Sequence, residues 1–460
     1  MPVNDFTLPS TAYGSFLSET RGIVDFATMQ FRFEESSDPN IQLDPIPPNY
    51  IISFTYEDTV ATSADTVNIE LFDTTWTTIE DLIIAKHNKL QFRFGWSLGK
   101  KSVWKKITVV SHTPTFEING IRLSIEGYDE TVSSNDEAKT RDWSDKQYIH
   151  EIVQAIADEN GWNYDNQSIE TTKKVLDEEG KSKIFVQKQK ADLSFIKDDL
   201  LKYSQNEDDL GGFLCWYDVD TNTLYFRTPE LSAPVVKTYL VHRDRMGEVI
   251  SFAPDLGDGS LQRQIGAINT RMVGLDPFKK ELIDVNIDNK KSTDGKILLG
   301  EYIPDQEIKS TGGAGRFFRK ATLTSDAATI VAKQRWFERF NMFFTAEMEV
   351  VGDPSIKPGT NIGVICLDSN NSPFYCSGKF YVESVTHSID NGNFISHIKM
   401  WKNAMRDGAI NAKTIEAGQI RDKMESMQSF FQEQIVQQTD SSFLYVPPVP
   451  ISFPGGYPTY

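Results

Sequence analysis

Three cysteines in 460 residues, Cys215, Cys366 and Cys376, are too few for a disulfide scaffold, and none forms a C-x-x-C pair. Buried thiols in a reducing compartment fit that usage. Cys366 and Cys376 flank "LDSNNSPFY", where a hairpin would set them opposite each other, so a cross-strand disulfide is the alternative. Basic charge is in deficit. Lys plus Arg number 47 against 65 Asp plus Glu, a net charge of -18. Binding built on phosphate neutralisation needs a basic surface, so the sign argues against a protein that grips nucleic acid. It does not argue against a passage that nucleic acid slides through, because a negative lumen repels phosphates. No apolar run is long enough to span a bilayer. The opening "MPVNDFTLPSTAYG" has no basic stretch followed by an apolar core, so no signal peptide is expected.

Catalytic motifs are equally scarce. "STGGAGRF" lacks the lysine and hydroxyl that a phosphate-binding loop needs after its glycines, and reads as a mobile loop. "DVDTNT" from Asp218 imitates the start of a calcium loop. Its sixth position is Thr223 rather than glycine and its twelfth is Pro229 rather than glutamate, so a hairpin turn is the better reading. The six histidines are His87, His112, His150, His242, His387 and His397, and no two lie three to five residues apart. No local metal pair follows. His387 and His397 would approach each other only across a hairpin. Among so many carboxylates no acid pair for glycoside cleavage stands out. No cofactor and no metal are expected, and the reading is not an enzyme.

What is present is material for sheets. Hydrophobic residues make up 39% and aromatics 12%, enough for a globular chain, and the length suggests about three domains. Met29, Phe31 and Phe33 alternate with polar neighbours, as do Ile52, Phe54 and Tyr56, then Val67, Ile69 and Leu71. "LQFRFGW" places Leu90, Phe92, Phe94 and Trp96 on one face. Val103, Lys105, Ile107 and Val109 continue the series, and Ile121, Leu123 and Ile125 close it. Period-two patterning predicts half-buried antiparallel strands. "DTTWTTIEDLIIAKHNK" interrupts them with a short predicted helix.

Beyond Asn135 the period changes. Tyr148, Ile149, Ile152, Val153 and Ile156 have helical spacing, with Ser144 and Gln147 as a capping box and Gly161 as the stop. "ADLSFIKDDLLKYS" repeats the type, with Leu193, Ile196, Leu200 and Tyr203 on one stripe, and "FLCWYDVDTNTLYF" reads as a hairpin. Strands return from Pro234, through "GEVISFAPDL" and "QIGAINTRMVGLDP", to a long polar loop at 286–315. "TSDAATIVAKQRWFERFN" is a helix capped by Thr324 or Ser325, followed by the strand "FFTAEMEV". "VVGDPSIKPGTNIGVICLD" turns a corner at Pro358 and Gly359, where proline fixes φ and glycine permits the bend. "SGKFYVESVTHSID" and "FISHIKMWKN" follow, joined at Asn391-Gly392, a hairpin signal. Past Met405, Ile420, Met424, Met427 and Phe431 form a short heptad seam with Gln434 at the next core position. The last residues are rich in proline and aromatics and predict an extended arm.

Four stretches together resemble the tail-hub family of contractile phages, which includes late-control D-type baseplate hubs and the hub portion of type VI secretion spikes. They are "FTYEDTVATSADTVNIELFD" with "LQFRFGW", then "VQKQKADLSFIKDDLLKYS" before "FLCWYDVDTNTLYF". The helix "SDAATIVAKQRWFERFN" before "AEMEVVGDPSIKPGTNIGV" is the third, and "SGKFYVESVTHSID" with "FISHIKMWKNAM" the fourth. The long loop at 286–315 and the proline-rich tail depart from the family pattern.

The resulting expectation is a mainly β chain with an α/β insert. Residues 1–135 would be a first tube-like antiparallel β-barrel, 136–233 a small α/β domain, and 234–405 a second tube-like barrel. Residues 406–460 would be a C-terminal helix and arm. The resemblance implies a homotrimer whose two barrels per chain imitate six-fold symmetry. Such a ring would join the tail tube protein to a three-fold central spike protein in a virion baseplate, with tape measure and baseplate wedge proteins as further neighbours. It implies binding and conduction of DNA or effectors without specific binding, and no membrane insertion. Ile420, Met424, Met427 and Phe431 would serve either as a three-fold or spike contact or as packing on the chain's own barrel. A baseplate-associated cell-wall hydrolase and a carbohydrate-binding tail adhesin are the rival readings.

Overall fold

The computed structural model describes residues 27–33, 51–60, 64–74, 89–96, 99–129, 138–177, 179–208, 211–241, 248–255, 270–276, 280–287, 316–320, 325–342, 344–366, 376–390 and 393–403. They fall within one compact unit, 1–409. The first strands are β1 (Ala27–Phe33), β2 (Ile51–Thr59), β3 (Thr66–Asp73), β4 (Lys89–Trp96), β5 (Lys105–Glu117) and β6 (Gly120–Tyr128). The middle of the chain contributes β7 (Lys139–Asp142), helix α1 (Ile149–Asn160), β8 (Val186–Lys190), helix α2 (Asp192–Phe195), β9 (Leu214–Asp218) and β10 (Thr223–Arg227). Then come β11 (Val235–Val241), β12 (Val249–Asp255), β13 (Thr270–Asp276), β14 (Glu281–Ile287), β15 (Arg316–Lys320) and helix α3 (Ser325–Asn341). The last are β16 (Phe344–Val351), β17 (Asn361–Cys366), β18 (Gly378–Asp390) and β19 (Asn393–Lys402).

Alternation does what period two requires. Val67, Ile69 and Leu71 are buried along β3 while Asn68 is exposed, and Ile121, Leu123 and Ile125 are buried along β6. The two expected barrels, however, are not separate, and no closed barrel is found among the described residues. Six strands from 27–128 and six from 235–402 join in one twelve-stranded sheet, ordered β1-β4-β5-β6-β3-β2-β18-β19-β16-β12, with β17 and β11 branching from β18. The physical reason is β18. At 13 residues it outruns its first partner β17, and a bulge between Val382 and Ser384 redirects it so that Ser384–Asp390 pairs with β2. The join also buries shared side chains. Val351, Ile389 and Phe394 pack with Phe54, Phe92 and Phe94, and the Trp96 Nε1–H donates to the Gly352 carbonyl at 2.8 Å.

The insert has its own core. Ile149, Ile152, Val153 and Ile156 of α1 are buried with Leu193, Ile196 and Leu200. The Ser144–Gln147 capping box is not formed, because α1 starts later: the Glu151 carboxylate accepts from the Gln147 and Tyr148 backbone N–H groups at 2.8 and 3.1 Å. Gly161 ends α1 in the left-handed region, φ 69°, as its position implied. After α2 the chain widens into a π turn (Ile196–Leu200) and tightens into a 3-10 turn (Leu201–Tyr203). Packing does not follow chain order. Ala327, Ala328 and Ile330 of α3 join the insert's core, whereas Trp336 and Phe337 of the same helix enter the core under β16 to β19. Gln334 stitches the two regions, its Oε1 accepting from the Gly212 N–H at 2.7 Å.

The short helix expected in "DTTWTTIEDLIIAKHNK", nearly all of the 286–315 loop, and the seam residues Ile420, Met424, Met427 and Phe431 lie outside the described residues. Among the described residues no helix is long and apolar enough to cross a membrane.

Candidate functional site

Two features of the surface and its supports bear on function: a buried ionic junction and a projecting hairpin. The junction forms where the β9–β10 turn meets the sheet. Asp218 accepts from the Asp220 N–H at 2.9 Å and from the Thr221 hydroxyl at 3.2 Å, a local turn that aims Asp220 inward. Asp220 then pairs with Lys105 of β5 and with Lys357, the latter at 2.5 Å. Three distant segments are thereby tied at one carboxylate. The corner after β16 completes the tie: Gly359, at φ 78°, donates its N–H to the Val382 carbonyl at 2.9 Å and lies against Trp216.

The electrostatics follow from burial and partners. Burial opposes charge on Asp220, but Lys105 and Lys357 outweigh it and hold the carboxyl below its ordinary range. Burial likewise works against the Lys357 ammonium, and the hydrogen bond to Asp220 overcomes it. Asp58 has no such clasp. Burial raises it to about 6 against the pull of Lys105. Asp65 is raised further by burial beside Asp58 and Asp129, while accepting from the Tyr56 hydroxyl and the Thr59 N–H at 3.1 Å each.

The projecting hairpin is β5–β6. Among the described residues β4 pairs only with Lys105–Thr108, so β5 runs on well past that partner. Val110 is the extra residue of a bulge between Val109 and Ser111, and it is largely exposed, as is Phe116. Ile118, at the turn, is 100% exposed. Ile118 is an apolar side chain left wholly to solvent at a turn.

Several residues singled out in the sequence find their places here. The "DVDTNT" turn is a hairpin whose acids hold lysines, and among the described residues no group of three or more His, Cys, Asp or Glu is placed to hold a metal ion. His387 and His397 are not brought together. His387 sits opposite Ser396 and His397 opposite Thr386, so the two rings point to opposite faces. His387 is buried against Phe94, with Nδ1 2.9 Å from the Ser396 hydroxyl, and burial lowers it to about 3. His397 faces Glu347 at 3.6 Å near the surface. Cys366 and Cys376 are both free thiols. Lys105 is what sequence reasoning missed. It stands in phase with Ile107 on the apolar face of its strand, and a lysine in that phase signals a buried counter-charge.

No protein-family model matches the sequence, and no curated protein matches it. Solved structures do. The 43 kDa tail protein of prophage MuSo2 from Shewanella oneidensis superposes with a TM-score of 0.52 at 12% identity, covering 82% of this chain and 98% of that one. The tail protein from Neisseria meningitidis MC58 gives 0.49 at 12% identity, covering 83% and 98%. The E. coli c3393 protein, a type VI secretion system component with structural similarity to T4 bacteriophage tail proteins gp27 and gp5, gives 0.44 at 10%, covering 78% and 75%. This chain has the fold of the prophage tail protein.

Proposed function

We propose that this chain is a structural component of a phage tail baseplate or a related contractile injection device. In that device it acts as a hub: a homotrimeric ring that adapts a hexameric tail tube to a three-fold central spike. The observation that carries the reading is the fold shared with a prophage tail protein along 98% of that protein's length. Two six-strand groups per chain support it, since three copies would present six such groups to a six-fold tube. The net charge of -18 supports conduction, because phosphates would pass without sticking. The role needs no covalent step, no cofactor and no membrane insertion. The chain would divide as 1–135, 136–233, 234–405 and 406–460, with Ile420, Met424, Met427 and Phe431 as the three-fold or spike contact. Assembly would take place in the host cytoplasm and end in the virion, beside tape measure and baseplate wedge proteins.

Native mass spectrometry and negative-stain imaging of the purified full chain test this. A trimer, or a ring of trimers with a central opening, is expected. A monomer that persists at high concentration, also in the presence of the tube and spike proteins, overturns it.

A further inference from the structure

The ends of β17 and β18 carry two thiols that the proposed role does not use. The strands pair from Asn361 opposite Tyr381 to Val364 opposite Gly378. The ladder ends there, and carried two residues further its register sets Cys366 opposite Cys376. The Ser377 hydroxyl closes this end, accepting from the Cys366 N–H at 2.9 Å and donating to the Cys366 carbonyl at 2.8 Å. Both side chains lie on the face that also buries Val364 and Phe380. Directly opposed antiparallel residues have Cα atoms about 4.5–5.5 Å apart, within the roughly 4.4–6.8 Å that a disulfide spans.

The two sulfurs differ in surroundings. Cys376 is buried, and burial pushes its thiol up to about 12, with Cys366 adding to the rise and the Lys402 ammonium opposing it. Lys402 is itself buried and donates to the Ser377 carbonyl at 2.9 Å. Cys366 is half-buried, so it is the sulfur that a reagent from solvent meets first.

We propose that Cys366 and Cys376 form a redox site, in which a small-molecule disulfide oxidises the thiol pair to an intramolecular cross-strand bond. The Cys366 thiolate attacks one sulfur of the small disulfide, forming a mixed disulfide and expelling one thiolate, which takes up the Cys366 proton. Cys376 then loses its proton, its thiolate held beside Lys402, and attacks the Cys366 sulfur. The second small thiolate leaves and takes that proton. Two protein thiols and one small disulfide become one protein disulfide and two small thiols. The bond closes a loop over the nine residues of "LDSNNSPFY". It sets wherever the chain leaves a reducing medium, and it does not depend on the tail-hub reading.

The test is to incubate the purified full chain with oxidised glutathione, quench in acid, denature, alkylate and weigh the intact chain. Alkylated thiols are expected to fall from three to one, with peptide mapping joining Cys366 to Cys376. Cys215 serves as the internal control, because it is 3% exposed and lies in the insert's core, apart from the core that holds Cys376. The variant C376S is expected to stop with one glutathione on Cys366. Three alkylated thiols, a mixed disulfide that persists on the unsubstituted chain, or a bond to Cys215 overturns the proposal.

Discussion

The β9–β10 and β5–β6 hairpins present opposite solutions to the same local problem. Each ends in a short turn between two antiparallel strands. The first turns Asp220 inward, where it meets Lys105 with little access to water and Lys357 from the partly exposed side. The second lifts Ile118 wholly into solvent. A hairpin whose tip is clasped by buried charge holds its own subunit together. One whose turn carries a wholly exposed apolar side chain gains no internal packing from that residue.

The sharpest way to break this contrast is to remove the clasp. Asp220→Ala leaves Lys105, whose side chain is 5% exposed, as a buried cation without its carboxylate. Breaking a buried pair from one side costs about 3–5 kcal/mol. Denaturant unfolding should show that loss as a lower midpoint. The double variant Lys105→Met with Asp220→Leu should recover most of it, because an apolar pair carries no desolvation penalty. A single-variant loss near zero would mean the junction is ornamental.

Protons probe the inner side of the junction. His387 stays neutral in the fold down to about 3, whereas the unfolded chain protonates near 6.5. Its contribution is therefore complete above 6.5 and is lost as pH falls toward 3, amounting to about 2 kcal/mol between pH 7 and 5. Asp58 works the other way. With its folded value raised to about 6, the folded chain takes up the proton first, so acidification from pH 7 to 5 adds about 1 kcal/mol. The two contributions run in opposite directions between pH 7 and 5. His387→Phe should become more stable as pH drops from 7 to 5, and Asp58→Asn less stable, both read as the pH slope of the unfolding midpoint. Identical slopes in both variants would contradict the burial argument.

Gly359→Ala touches the clasp from behind. Its φ of 78° disfavours any side chain, and a Cβ would sit 3.2 Å from Trp216. A loss of about 1–2 kcal/mol is expected in the same unfolding experiment.

How much of this was legible in the sequence divides along physical lines. Strand existence was, because Val67, Ile69 and Leu71, or Ile121, Leu123 and Ile125, show period two within a single segment. The Asp218 turn was legible for the same local reason. Pairing between distant segments was not. Nothing local in "FYVESVTHSID" announces that a bulge at Glu383 hands β18 from β17 to β2, so one shared sheet was read as two barrels. The same limit hid Lys105, whose partner lies 115 residues away in the chain. It also hid the divided service of α3, whose Ala327 and Trp336 enter different cores.

The smallest effect on folding belongs to the projecting tip, and it is the most telling for function. Ile118→Ser removes exposed apolar surface, so unfolding free energy should move by no more than about 0.5 kcal/mol. If copies of this chain cover that tip, each apolar group becomes interfacial, and truncating a covered one weakens association by about 1–2 kcal/mol, or roughly tenfold in Kd. Sedimentation velocity across a concentration series separates the two quantities: the folded boundary stays, while the oligomer recedes to higher concentration. Oligomer populations that match the unsubstituted chain at every concentration would show that the tip meets something other than a second copy. The contrast between the hairpins would then survive, with the partner moved outside the homo-oligomer.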